Sequence, residues 1–160
     1  MDRQLLSKIL VQMKKNLKEG KDIGDMKVGA LLALGHQLEA IFYYLGHELG
    51  TILKIKPVKD VNQIPEELKR IINEYSLGKV EITESTEEIV QLNLRDHSSI
   101  KDLMKKGIKT TGSFCSFEAG LLAGVVEKLS DRHCFAQELG CSLQTGENYC
   151  EFMIVFQSQD

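Results

Sequence analysis

Apolar residues recur along the first part of the chain at three- and four-residue spacing: Leu6, Ile9, Leu10, Met13 and Leu17, with lysines opposite and Gly20 and Gly24 ending the pattern. That is the period of an α-helix with one apolar stripe. It sets residues 1–24 apart as an N-terminal amphipathic helix and candidate dimer element, ahead of a domain over 25–160. The stripe can cover its own domain or a second copy of the chain. A second, longer pattern predicts a helix from about Val28 to Leu53, and Pro57 bars its continuation. A third helix is predicted near Pro65, which suits a first turn. It carries Leu68, Ile71 and Ile72 and stops at Leu77-Gly78.

The period then falls to two. "KVEITES" and "EIVQLNLRD" alternate apolar and polar residues, with Ser85-Thr86 as the turn of a hairpin. "SSIKDLMKKGIKTTGS" reads as a short helix followed by loop. "FEAGLLAGVVEKL" reads as a helix capped by Ser116 or Ser113, with Glu118 in its first turn. "HCFAQELGC" and "NYCEFMIVFQ" predict a second antiparallel hairpin. Two hairpins separated by a helix, after a helical N-terminal half, indicate an α+β fold with antiparallel hairpins packed on helices in a single domain.

Two glycine patterns qualify this picture. Leu34-Gly35-His36 recurs as Leu45-Gly46-His47, eleven residues on. The interval places His36 and His47 on one helix face but about 16 Å apart along the axis, too far for one metal ion. The glycines then serve close packing and the histidines ordinary polar contacts. Gly120 and Gly124 likewise mark a helix approached closely by another element.

Composition narrows the function. An apolar fraction of 42% and a charged fraction of 27% over 160 residues are those of an ordinary globular domain. The net charge of −3 argues against direct nucleic-acid binding. The cluster of Lys101, Lys105, Lys106 and Lys109 reads as a solvated face. The longest apolar run, "VGALLAL", is well short of the roughly 18 residues of a membrane span, and the charged N-terminus has no signal-peptide core. The expected location is cytoplasmic, where grouped cysteines more often bind metal or react than form disulfides.

Cys115, Glu138, Cys141 and Cys150 stand in the pattern C-x22-E-x2-C-x8-C. Thiolates suit zinc, and a structural site takes four protein ligands. Cys141 and Cys150 come within reach of each other at the base of a hairpin, where facing residues are about 5 Å apart. Cys115 lies at a helix start, where the dipole favours a thiolate. Cys134 is the chemically better fourth ligand, but an extended strand places it about 23 Å from Cys141. Glu138 is three residues away, and a bulge at Gly140 would turn both side chains the same way. Cys134 is then a buried free thiol. Core cysteines and disulfides stay open as alternatives, and His97 can line a pocket or cap the loop after its strand.

"CSFEAGLLAGVVEKL…FAQELGCSLQTGENYCEFMIVF" resembles the signature of the 4-vinyl-reductase domain family through Cys115, Gly120, Gly124, Glu138, Cys141, Gly146, Cys150 and Phe152. The resemblance is specific over 114–156 and general over the N-terminal half. The family is similar to the sensor domains of aromatic-responsive transcription regulators and, in fold, to vesicle-tethering complex subunits. It implies a ligand-binding domain over 25–160 for a small apolar, aromatic or hydrocarbon molecule. It also implies a zinc ion held by Cys115, Glu138, Cys141 and Cys150, structural because four protein ligands leave no open position. The expected pocket lies between the long helix, with Phe42, Tyr43 and Tyr44, and the sheet, although such aromatics are more often plain core. This chain departs from the sensors in having no tryptophan and no effector segment. The expected function is thus a stand-alone sensor or carrier, with a homodimeric interaction scaffold as the alternative. A reductase is the weaker reading, because no G-x-G-x-x-G fingerprint is present.

Overall fold

A computed structural model describes residues 11, 14–15, 17–19 and 38–157 of the chain. Helix α1 (Leu38–Ile52) is followed by a 3-10 turn (Val61–Gln63) and helix α2 (Ile64–Glu74). Strands β1 (Lys79–Ser85) and β2 (Ile89–Arg95) form a hairpin, then comes a short helix α3 (Lys101–Lys105). Helix α4 (Ser116–Ser130) leads into β3 (Cys134–Gly140), a one-turn helix α5 (Ser142–Thr145) and β4 (Cys150–Phe156).

The strands join one antiparallel sheet in the order β1-β2-β4-β3. The two predicted hairpins are therefore welded through β2 and β4, with Leu92 opposite Phe152 and Leu94 opposite Cys150. Alternation decides which face is inside. Val90, Leu92 and Leu94 of β2 and Phe152, Ile154 and Phe156 of β4 are buried, whereas Phe135, Leu139 and Val155 are exposed on the opposite face. This is the α+β architecture that the periodicity predicts.

Helix α4 is buried from Phe117 to Val126 because it has packing partners on two sides, the sheet and α1. Its contact with α1 is backbone to backbone. A methyl group added at Gly50 would stand 2.7 Å from the Leu121 carbonyl oxygen, and one at Gly120 would overlap the Tyr43 carbonyl. Gly46 and Gly124 are equally close to the opposing helix, so only glycine admits this helix spacing. Gly46, Gly120 and Gly124 thus serve the close packing predicted for them, and Gly35 lies outside the described residues.

Two local predictions need correction. Helix α2 stops at Glu74 rather than at Leu77-Gly78, because Ser76 turns left-handed at φ 53°. Neither Ser113 nor Ser116 caps α4: Cys115 is the cap residue, without a side-chain cap bond, and Ser116 is already helical. Of the predicted second helix, the part before residue 38, with His36, lies outside the described residues. From the first helix, Leu17 is buried beside Leu49, Leu53, Tyr75 and Leu77 of the same chain.

Candidate metal centre

Three chain segments meet at one end of β3. Cys115 precedes the first turn of α4, Cys141 follows β3 and is the cap residue of α5, and Cys150 opens β4. A register shift between Glu138 and Gly140 places Leu139 in a bulge. Without it, residues three apart on a strand would face opposite ways. With it, Glu138 and Cys141 both point into the core, and Leu139 is turned out to solvent. The predicted device at Gly140 is present.

The sulfurs are close but unbonded. Cys115 Sγ lies 3.6 Å from Cys150 Sγ and 3.9 Å from Cys141 Sγ, and the third side of the triangle is 4.0 Å. A tetrahedral zinc with Zn–S bonds of about 2.3 Å sets its sulfurs about 3.8 Å apart. Ligand atoms of Cys115, Glu138, Cys141 and Cys150 all lie within 4.8 Å of one another, and all four residues are buried, close enough to hold a metal ion. Cys134, at the other end of β3, is outside this group and contacts the Ala123 carbonyl at 3.3 Å.

Glu138 shows a division of labour between its oxygens. Oε2 accepts the Phe114 and Cys115 amides at 2.8 and 3.0 Å, occupying N–H groups that the start of α4 leaves free. Oε1 is buried without a hydrogen-bond partner. A buried carboxylate oxygen with no donor is costly, and a cation among the sulfurs would supply what it lacks.

Electrostatics favours the same fit. Burial pushes the Cys115 thiol up, reinforced by Cys141 and Cys150. At Cys141 the bond with Cys115 favours the thiolate, but Cys150 and burial outweigh it and the thiol rises. Bonds from Cys115 and Cys141 pull Cys150 down, with His97 helping. Burial raises Glu138 despite its two amide bonds. Three thiolates and a carboxylate buried together in this core need a cation.

His97 is the residue that sequence reasoning missed. Its carbonyl accepts from Ile100 and Lys101, so the backbone does start the next loop. Its side chain goes elsewhere: Nε2 lies 3.4 Å from Cys150 Sγ and 3.8 Å from Cys115 Sγ. Nδ1 stands 3.5 Å from Glu118 Oε1, an ion-pair distance rather than a formed hydrogen bond. Burial works against the charged imidazole, but Cys150 and Glu118 outweigh it and push its pKa up to about 9. The sequence offers no spacing that would pair His97 with Cys150, 53 residues later. The other histidine in question, His47, meets Glu127 Oε2 at 3.0 Å, an ordinary polar contact.

Beside the cluster an open groove of about 530 Å³ runs between the start of α1, the start of α4 and the edge strand β3. Tyr43, Ser113, Ser116, Phe135, Gln137 and Glu138 are among its walls. Tyr43 stacks on Phe135 with ring centroids 5.3 Å apart, and its hydroxyl accepts the Ala136 amide at 3.1 Å. Phe42, by contrast, is core, and Tyr44 is largely exposed. A cleft of about 790 Å³ between residues 54–59 and α2 is lined mainly by charged and polar side chains and lies away from the cysteines. Among the described residues, no helix is long and apolar enough to cross a membrane.

No family model matches the chain. Two proteins of Methanocaldococcus jannaschii are similar to it in sequence. The uncharacterized protein MJ0150 is 31% identical over 84% of this chain and 73% of its own length. The uncharacterized protein MJ1642 is 31% identical over 76% of this chain and 66% of its own length. The chain thus spans about two thirds to three quarters of each. Among solved structures, a vinyl-4-reductase family protein from Methanocaldococcus jannaschii superposes with a TM-score of 0.61 at 21% identity, covering 99% of this chain and 98% of that one. The phenol-responsive sensory domain of the transcription activator PoxR, solved with phenol, gives 0.65 at 14% identity, covering 84% and 72%. A trafficking protein particle complex subunit 3 from Naegleria fowleri, covalently bound to palmitic acid, gives 0.55 at 13% identity, covering 97% and 92%. At these identities the structural likeness speaks to the fold.

Proposed function

We propose, from the premise that this chain belongs to one family with the Methanocaldococcus jannaschii protein MJ0150 and carries the vinyl-4-reductase fold, that it is a small-molecule-binding module braced by a structural zinc ion. The observation that carries the reading is the buried cluster of Cys115, Cys141, Cys150 and Glu138, whose sulfur triangle has the edges of a zinc–thiolate tetrahedron. Four protein donors leave no open position for a substrate, so the ion is structural. When bound, it supplies a cross-link among the start of α4, the end of β3 and the start of β4. The protein's own part is to orient the donors: the bulge at Leu139 turns Glu138 inward, and the amides of Phe114 and Cys115 hold its other oxygen.

The ligand in this reading is a small aromatic or acyl-chain molecule in the groove next to Glu138. The stacked Tyr43 and Phe135 provide an apolar wall, and Ser113, Ser116 and Gln137 provide polar contacts at the rim. The phenol bound by the PoxR domain and the palmitic acid carried by the trafficking subunit support this class of ligand. In this reading the chain acts as a sensor or carrier.

The test has two arms. Metal content of untagged protein is measured by plasma mass spectrometry, and phenols and fatty acids are titrated by calorimetry against the chain and a Phe135→Ala variant. One zinc per chain and a ligand whose affinity drops in Phe135→Ala support the reading. Metal-free, normally folded protein overturns the zinc centre, and no heat with any of these compounds overturns the ligand class. A second reading, a homodimeric interaction scaffold, draws on the exposed Phe135, Leu139 and Val155 of the open sheet face. Light scattering that gives a monomer mass at all concentrations removes it.

A further inference from the structure

Three buried polar side chains behind the cysteines, His97, Ser99 and Glu118, lie outside the set of three sulfurs and one carboxylate, and ligand atoms of His97 and Glu118 form a second close group with Cys115, all within 4.8 Å of one another. Polar groups in an apolar core are costly unless they satisfy one another or serve a further group. These form a chain. Ser99 Oγ donates to Glu118 Oε1, the same oxygen faces His97 Nδ1 at 3.5 Å, and His97 Nε2 reaches Cys150 Sγ at 3.4 Å. It runs from the α3 side of the core to a sulfur and ends there.

Two observations favour Glu138 over His97 as the fourth donor. Glu138 Oε1 is buried without a partner and completes four donors, whereas His97 Nε2 already has Cys150 as a partner. Cys150 is also the sulfur that collects other donors: the Ser142 amide reaches it at 3.2 Å, and the Ser142 hydroxyl stands at 3.3 Å. The imidazole is nearer to Cys150 than to Cys115, at 3.4 against 3.8 Å.

We propose that His97 supports the metal–thiolate bond at Cys150 from outside the coordination sphere, donating Nε2–H to Sγ, while Glu118 and Ser99 hold the ring in that orientation. This rests on reading the cysteine cluster as a metal centre. Three thiolates and one carboxylate around a dication leave two negative charges in a core without water. A hydrogen bond to sulfur draws charge off it, lowers its nucleophilicity and makes the ion harder to strip. Outer partners of this kind typically change metal affinity by about 10–100-fold.

The test uses the full chain loaded with Co²⁺ in place of zinc, compared with His97→Phe and with His97→Gln, which keeps a donor. Stoichiometry, affinity by chelator competition, the sulfur-to-cobalt charge-transfer band and the rate of thiol alkylation are read together. We expect His97→Phe to retain one ion per chain, with affinity lowered about 10–100-fold, the band moved to lower energy and alkylation faster. His97→Gln should fall between it and the wild type. Variants that match the wild type in all these readouts overturn the inference and leave His97 as packing. A His97→Phe chain that keeps its circular dichroism but binds no ion makes His97 a direct ligand, which also overturns it. If His97→Phe does not fold, His97→Gln decides alone. A wild type that takes up neither Co²⁺ nor Zn²⁺ sinks the metal centre and this inference together, so the two failures are told apart by the first measurement.

Discussion

The two ends of β3 each hold a buried cysteine, and the two have opposite chemistry. At one end Cys141 has two further sulfurs within 4.0 Å, an unpartnered carboxylate oxygen and a histidine nearby. At the other end Cys134 has the Ala123 carbonyl for its thiol, and Glu127 holds its amide. Burial, then the neighbouring Glu127, pushes the Cys134 thiol up to about 12, with no cluster of donors to stabilise a thiolate. Burial alone makes a cysteine inert, as it makes Cys134. Burial with convergent soft donors makes one a ligand, and convergence depends on what the neighbouring strand and helix termini bring to the same point.

That contrast can be broken most sharply at Cys150. Replacing it with serine should remove the bound metal and cost about 4 kcal/mol or more of stability, the range reserved for lost metals and disulfides. Urea unfolding beside metal analysis reads both quantities. Metal retained in Cys150→Ser would erase the difference between the two ends. Gly120→Ala should cost about 1–3 kcal/mol by overpacking α4 against the Tyr43 carbonyl, with metal content untouched. A loss of metal there would mean that the helix spacing, rather than the donor set, governs the site.

Cys134→Ala should cost about 1 kcal/mol as a small buried deletion and leave metal content at the wild-type value. Its pH dependence sharpens the contrast further. A thiol whose folded pKa is about 12, against an ordinary value of 9.0, contributes stability that is full below pH 9 and is lost as pH rises towards 12. The unfolded chain releases that proton first. The stability gap between the wild type and Cys134→Ala should therefore narrow across pH 9 to 12, as followed by unfolding at a series of pH values. A constant gap would show that Cys134 is less buried in solution than its neighbours imply. The smallest effect is expected from Tyr43→Phe, which removes the acceptor for the Ala136 amide midway along β3, at about 1 kcal/mol.

Much of this was legible along the chain because it depends on local order. Period two in "EIVQLNLRD" and "CEFMIVF" comes from the alternation of side chains on a strand, and Pro65 marks a helix start because its ring suits the first turn. Glu138 and Cys141 could be paired by reasoning, since three residues and a bulge are a local geometry. The cap of α4 was not legible, because the carboxylate that takes the Phe114 and Cys115 amides arrives from a strand 23 or more residues later.

The sequence by itself therefore determined the main helices and strands among the described residues, the buried face of each strand, the glycines of α1 and α4 that demand a close neighbour, and the residue types and spacing of the cysteine pattern. Only the tertiary structure decided that β2 joins β4 to make one sheet, that α4 is enclosed on both sides, and that His97, Ser99 and Glu118 gather behind Cys150. The reason is the range of the forces involved. Side-chain period and chain stiffness act over a few residues and leave their mark in the sequence. The grouping of polar atoms in a core is selected by contacts across tens of residues, which exist only once the sheet and helices have packed.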